Sequence, residues 1–306
     1  MTKIACIALF LASVSAVAAD QQVYRSASVD ARWLNIPASA RVASLAGAFA
    51  ARGGEPGGIE ANPAALAGTQ DWQALLTHNS WVQGMKVERF LLAKNQGCWG
   101  TFGLGFDYFN LGEFEKTEIN AAGDLVGLGT LYPNAMALSG AWAYDFGPLA
   151  IGVGVKYIGE NLVSDWGSGL QTDLGARWTT EMGWRFGASL RNAALDLSTA
   201  LRPLVLRAGA GYTFKDQPLA LDANVDYQTQ DQEPPSYRFA AEWAATKQFI
   251  LRGGYIVGND RTPQGPTAGL GWVEHVVELD YAFYAASSGD LGYSHLITLR
   301  LVPGRK

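Results

Sequence analysis

The feature that most constrains this chain is an alternation of period two that begins near Gln70 and persists almost to the end. Phe102, Leu104, Phe106 and Tyr108 are apolar or aromatic, and Thr101, Gly103, Gly105 and Asp107 alternate with them. Leu149, Ile151, Val153, Val155 and Tyr157 alternate in the same way with Ala150, Gly152, Gly154 and Lys156. Leu219, Leu221, Ala223, Val225 and Tyr227 alternate with Ala220, Asp222, Asn224 and Asp226, and Val277, Leu279, Tyr281 and Phe283 with Glu278, Asp280, Ala282 and Tyr284. Successive side chains of a strand point to opposite faces, so the pattern predicts strands with one greasy face and one polar or small face.

A soluble sandwich alternates too, and the connections decide between the two. Tight links rich in turn residues fall at 95–97, 147–148, 180–183, 215–218, 246–248 and 274–275. Longer, more polar stretches lie between them, at 80–85, 110–134, 159–168, 192–203, 228–236, 258–266 and 286–292. Long and short strictly take turns, so in an antiparallel meander all long loops share one rim and all short turns the other. Seven long and six short connections need fourteen strands. The expected fold is all-β: a 14-stranded antiparallel transmembrane β-barrel over residues 70–302, with a short tail at 303–306.

Composition agrees with a lipid-facing surface. Charged residues make up 17% of the chain, against about 25% in soluble domains. Beyond residue 20 no apolar run reaches the roughly 18 residues of a membrane helix. A net charge of −5 gives no basic patch, so nucleic acid is not an expected partner. Residues 1–19 read as a cleaved secretory signal: Lys3, an apolar stretch over 4–14, and small residues at 16–19. Cleavage leaves Cys98 as the one cysteine. Trp81, Trp99, Trp142, Trp178, Trp184, Trp243 and Trp272 are expected in interfacial girdles.

Residues 20–69 lack the alternation and are rich in Ala, Gly and Ser. They read as a short helix, a glycine-rich loop and a turn, small enough to lie inside the lumen as a hatch. Inward charge is mixed, with Asp107, Asp145, Lys156, Asp173, Arg177, Arg185, Arg191, Arg207, Asp222, Asp226, Arg238, Glu242, Arg252, Glu278 and Asp280 on the polar face. Acids and arginines interspersed in this way cross-link a lumen rather than line a single-sign ion pore.

No catalytic set is expected. The three histidines are His78, His275 and His295, of which the first and last belong to strands that meet at barrel closure. Gly167-Ser168-Gly169 reads as a glycine-rich loop, not a nucleophile elbow. Asp222, Asn224 and Asp226 are spaced along a strand and line a wall, so no metal or cofactor is expected; Asn259-Asp260 is a weak calcium candidate.

Two runs carry a family resemblance: Ala40-Arg41 through Gly47-Ala48-Phe49, then Asn62-Pro63-Ala64-Ala65-Leu66-Ala67. With 106–113, 154–158, 173–176, 279–282 and 289–295 in the same order, the chain resembles the PorV/PorQ-type outer-membrane proteins, relatives of the FadL hydrocarbon transporters. It departs from that pattern at Gly53-Gly54-Glu55-Pro56, at Ala61, and at the C-terminus, where the last strand is expected to continue through Val302-Pro303 without a terminal aromatic.

The resemblance implies a non-enzymatic barrel in a Gram-negative-type outer membrane, embedded in its lipid. Hatch and gating roles are then expected of Arg41, Gly47, Phe49, Asn62, Pro63 and Ala64, and lumen roles of Asp107, Lys156, Asp173, Arg177, Arg207, Asp222, Asp226, Glu278 and Asp280. FadL-like members pass apolar small molecules. PorV-like members hold type IX secretion cargo and deliver it to partner machinery. Leu125, Val126, Leu128, Leu131 and Tyr132, in the one loop long enough to fold over the mouth, suit an external apolar pocket in either role. A purely adhesive barrel gives no reason for a hatch.

Overall fold

The computed structural model describes residues 32–121, 123–161, 166–194, 204–229, 234–258, 264–285 and 292–304. Fourteen strands close into an antiparallel barrel: β1 (Trp72–Ser80), β2 (Lys86–Asn95), β3 (Thr101–Asn110), β6 (Asn134–Asp145), β7 (Leu149–Asn161), β8 (Trp166–Thr179), β9 (Trp184–Ala194), β10 (Val205–Thr213), β11 (Leu219–Gln228), β12 (Ser236–Ala244), β13 (Phe249–Val257), β14 (Gly265–Glu274), β15 (Val277–Tyr284) and β16 (Ser294–Leu301). Two further strands, β4 (Phe114–Ile119) and β5 (Leu125–Leu131), pair only with each other. The first barrel strand closes on the last, from Ala74 opposite Leu301 to Ser80 opposite His295. Closure leaves no strand edge, which a lipid environment demands.

Each neighbour follows its neighbour in sequence, so seven connections lie on one rim and six short turns on the other. The facing follows the expected parity. Along β3 the burial pattern alternates strictly, with Phe102, Leu104, Phe106 and Tyr108 outward, and β11 and β15 keep the parity read from their sequences. Outward Trp99, Trp178, Trp184, Trp243 and Trp272 gather at the short-turn rim, and Tyr108, Tyr157, Tyr227, Tyr237 and Tyr255 toward the long-loop rim. Leu and Phe fill the band between them, the arrangement of a barrel that spans a bilayer.

Several sequence expectations need correction. Trp142 keeps the outward parity near the short-turn rim but is packed over by its neighbours, and its Nε1 donates to the Trp99 carbonyl oxygen at 2.8 Å. Trp81 packs beside Tyr284, 5.6 Å between rings, at the long-loop mouth. Gly167-Ser168-Gly169 belongs to β8 and not to a loop, because β7 and β8 stay paired out to Asn161 opposite Trp166. The last strand stops at Leu301, where Val302 turns its N–H to the Val276 carbonyl before Pro303. Asp145, at the end of β6, keeps the inward parity but is exposed at the short-turn rim, where its Oδ1 accepts from the Gly147 N–H at 2.9 Å. His78 and His295 both face outward and do not pair; His78 contacts Glu88 at 2.6 Å and His295 contacts the Tyr281 hydroxyl at 2.8 Å. The signal segment 1–19 and the Asn259-Asp260 candidate lie outside the described residues.

Leu221 is outward on β11 and 43% exposed. Leu221→Arg is therefore expected to weaken assembly by about 2–4 kcal/mol if the position sits near mid-bilayer. The yield of heat-modifiable folded barrel on unheated gels measures this.

Candidate functional site

Residues 32–69 lie within the barrel and give it nearly half of its buried apolar residues. The segment begins at the long-loop rim with a single 3-10 turn, Arg32–Asn35, and then forms α1 (Ala40–Ser44) against β13–β16. A five-residue helix has no stability of its own, so the wall holds it in place. Ser39 caps it by accepting from the Val42 N–H at 3.2 Å, and the Ala40 N–H donates to Thr298 Oγ1 of β16 at 2.8 Å. Ala46 and Gly47 both take positive φ, which ends the helix and turns the chain across the lumen. Two 3-10 turns follow, Pro56–Gly58 and Pro63–Leu66, the second packed on β6, β7 and β8, before the chain leaves the lumen at Trp72.

Asn62, with Pro63 and Ala64, is where the segment meets the wall most closely. Its Oδ1 accepts from the Ala64 N–H at 3.0 Å, and its Nδ2 donates to the carbonyls of Ala50 at 2.7 Å and Ala176 of β8 at 3.0 Å. One buried amide thus caps a turn, ties two stretches of the segment together and fastens both to the barrel. Inward glycines make room for it. A Cβ on Gly175 would lie 1.9 Å from Asn62 Oδ1, and one on Gly152 would lie 2.4 Å from the Ala64 nitrogen. Gly187 faces the Ala50 carbonyl in the same way, at 2.0 Å. The glycines of the alternating pattern are seats for a backbone.

Ion pairs fix the rest. Arg41 makes a two-pronged bond to Glu242 of β12, 2.9 Å on each arm, and also pairs with Glu55. Arg52 bonds Asp222 of β11 through Nε at 2.8 Å and reaches Glu242 as well. Arg300 of β16 pairs with Glu55 at 3.0 Å and with Glu278 of β15; Arg252 of β13 joins Glu242, Glu278 and Asp280; Arg185 of β9 reaches Asp222 at 3.1 Å. Five guanidiniums and five carboxylates interlock, and three of the ten come from the segment. Toward the long-loop rim a second group holds Arg207 and Arg238 on Asp226, Lys156 on Asp173, and Arg89 on Asp107 and Glu60.

The structure places every lumen residue expected from the sequence on the inner face, Asp107, Lys156, Asp173, Arg207, Asp222, Asp226, Glu278 and Asp280 buried and Arg177 half-buried, donating to the Ala67 carbonyl at 3.0 Å. Phe49 is fully buried, with the Arg41 guanidinium 5.8 Å from its ring centre. Leu125, Val126, Leu128, Leu131 and Tyr132 are not brought to the lumen. They run along or just beyond β5 of a hairpin exposed on both faces. Sequence reading missed Arg52, Glu55, Glu60, Arg89 and Arg300. Parity betrays two of them, since Arg89 follows Val87 and precedes Leu91 on the inner face of β2, and Arg300 follows Thr298 on that of β16.

The model of the uncharacterised protein family UPF0164 matches residues 9–193. The chain belongs to UPF0164. This UPF0164 member matches no curated protein. Its barrel is similar to the toluene transporter TbuX of Ralstonia pickettii, 14% identical, with a TM-score of 0.62 over 86% of this chain and 98% of that one. It is also similar to a Pseudomonas aeruginosa FadL homologue, 11% identical at TM-score 0.57 over 87% and 98%, and to the Pseudomonas putida toluene transporter TodX, 12% identical at TM-score 0.56 over 92% and 98%. At these identities the likeness concerns the fold, that of the FadL-like transporter barrels.

Glu242 serves Arg41, Arg52 and Arg252 at once. Glu242→Ala leaves three buried cations short of a partner and is expected to cost about 3–5 kcal/mol. Limited proteolysis should then cut residues 32–69 in the variant under conditions where the parent chain resists.

Proposed function

We propose that this chain is an outer-membrane conduit for small apolar molecules, gated by its own N-terminal segment, with lipid as its surroundings. Arg41, Gly47, Phe49, Asn62, Pro63 and Ala64 seat the hatch in this reading, and the inward acids and arginines are the wall it locks to. The observation that carries it is a lumen occupied by a segment of the same chain and bonded to the wall by matched charges. Such a barrel is closed to steady ion flow, and whatever passes must move part of the segment. The names of TbuX and TodX tie that fold to toluene, which supports an apolar cargo here. The reading needs no catalytic residue and no cofactor.

One observation favours a second reading, a docking barrel of the PorV kind for secretion cargo or secretion machinery. The β4–β5 hairpin rises from the long-loop rim with both strand edges free and Phe114, Ile119, Leu125 and Leu128 more than half exposed. An isolated two-stranded hairpin is marginal in water, so a partner that adds a strand would steady it.

Gentle extraction from the native membrane followed by mass spectrometry separates the two. A stoichiometric hydrocarbon or lipid, lost when Asn62 and Pro63 are both replaced by Ala, is the expected result. A stoichiometric polypeptide released by deleting 113–132 would overturn the conduit in favour of docking.

A further inference from the structure

The upper end of the segment is held differently from the rest. Residues 40–66 are fastened by the ion pairs and glycine seats described above, whereas among the described residues 33–36 are held by a ring stack, apolar packing and two hydrogen bonds. Trp33 lies against Phe109 of β3, 5.6 Å between centroids and 24° from parallel. Its indole Nε1 donates to Glu160 Oε1 of β7 at 2.9 Å. The Arg89 Nη1 donates to the Ile36 carbonyl at 2.8 Å. Val87, Ile158, Ala135 and Ala137 complete an apolar seat at the long-loop ends of β2, β3, β6 and β7.

This seat has the composition of a small-molecule site: an aromatic platform, aliphatic walls and one buried carboxylate, 4% exposed, aimed at the plane of the ring. It also lies at the long-loop ends of its strands, toward the outer rim of the barrel. We infer that the seat of Trp33 is a binding site for planar aromatic molecules bearing a hydrogen-bond donor, which the chain's own indole occupies until a ligand displaces it. The inference rests on the conduit reading and gives it a ligand class. Phe109 supplies stacking, and Glu160 selects for the donor, because a ring without one leaves the carboxylate short of the hydrogen bond that Trp33 now supplies. Displacement frees the loosest part of the segment and leaves the ion-paired part in place.

Indole and 1-methylindole differ in the donor alone and serve as the probes. The full chain is labelled with 5-fluorotryptophan and placed in lipid nanodiscs, and the Trp33 fluorine resonance is assigned by its loss in Trp33→Phe. Indole is expected to move that resonance to its solvent position in a saturable way, with 1-methylindole needing roughly tenfold more or higher. Glu160→Ala should bring the two ligands level, and Glu160→Gln, which keeps an acceptor, should preserve the preference; both are checked for heat-modifiable folding. A Trp33 resonance that indole leaves unmoved, or that both probes move equally in the parent chain, overturns the site. Protein-dependent toluene uptake by cells tests the conduit separately. Uptake with an immobile Trp33 removes only the site, while a displaced Trp33 without uptake of any aromatic removes the conduit and leaves the site.

Discussion

Everything in this molecule follows from the closure of β1 on β16. A sheet in lipid has to satisfy its backbone internally, and a closed ring of strands does so without edges. Closure also divides the side chains into two populations with opposite solvents. Outward positions must be greasy, and inward positions of a fourteen-stranded ring surround a space too wide for their own side chains to fill. The segment of residues 32–69 fills it, and the inner wall is built of small residues where that backbone approaches and of charged residues where its side chains reach.

Charges in such an interior are costly unless paired, and here the pairing is shared rather than one to one. Glu242 accepts from three arginines, two of the segment and one of β13, Glu55 from Arg41 and Arg300, and Asp222 from Arg52 and Arg185. Sharing makes the interior cooperative: no single pair can part without leaving its neighbours undercompensated. A neutral, interlocked lattice of this kind explains why acids on β11, β12 and β15 are interspersed with arginines on β9, β13 and β16 instead of forming a ring of one sign.

The barrel was legible because its two signals, parity and the alternation of connection lengths, are local. Fourteen strands, their facing and their rims could be read from Gln70 to Leu301 without knowing any contact. The short-turn girdle was legible, but not that the Trp142 indole finds a carbonyl 43 residues back in sequence. What stayed hidden was pairing at long range. Asn62 and Pro63 read as a turn, but the bond to Ala176 and the missing Cβ of Gly175 depend on which strand the turn lies against. Trp33 and Glu160 are 127 residues apart, and nothing in either neighbourhood announces the other. Arg89 and Arg300 had the right parity but were overlooked, since a lone charge among apolar inward residues looks like an outward one out of register.

The segment has two seats of unequal strength. On the β11–β16 side it is held by Arg41, Arg52 and Glu55, each inside the shared lattice. On the β6–β8 side Pro63–Leu66 is held by hydrogen bonds and by the fit into Gly152 and Gly175, with a single longer ion pair, Glu60 to Arg89 at 3.4 Å, nearby. Moving the first half strips several buried charges together; moving the second breaks neutral bonds and packing, which cost far less each. Between the halves, Ala46 and Gly47 already turn the chain sharply. The contacts along β6–β8 are therefore the ones that this interior would lose at least cost.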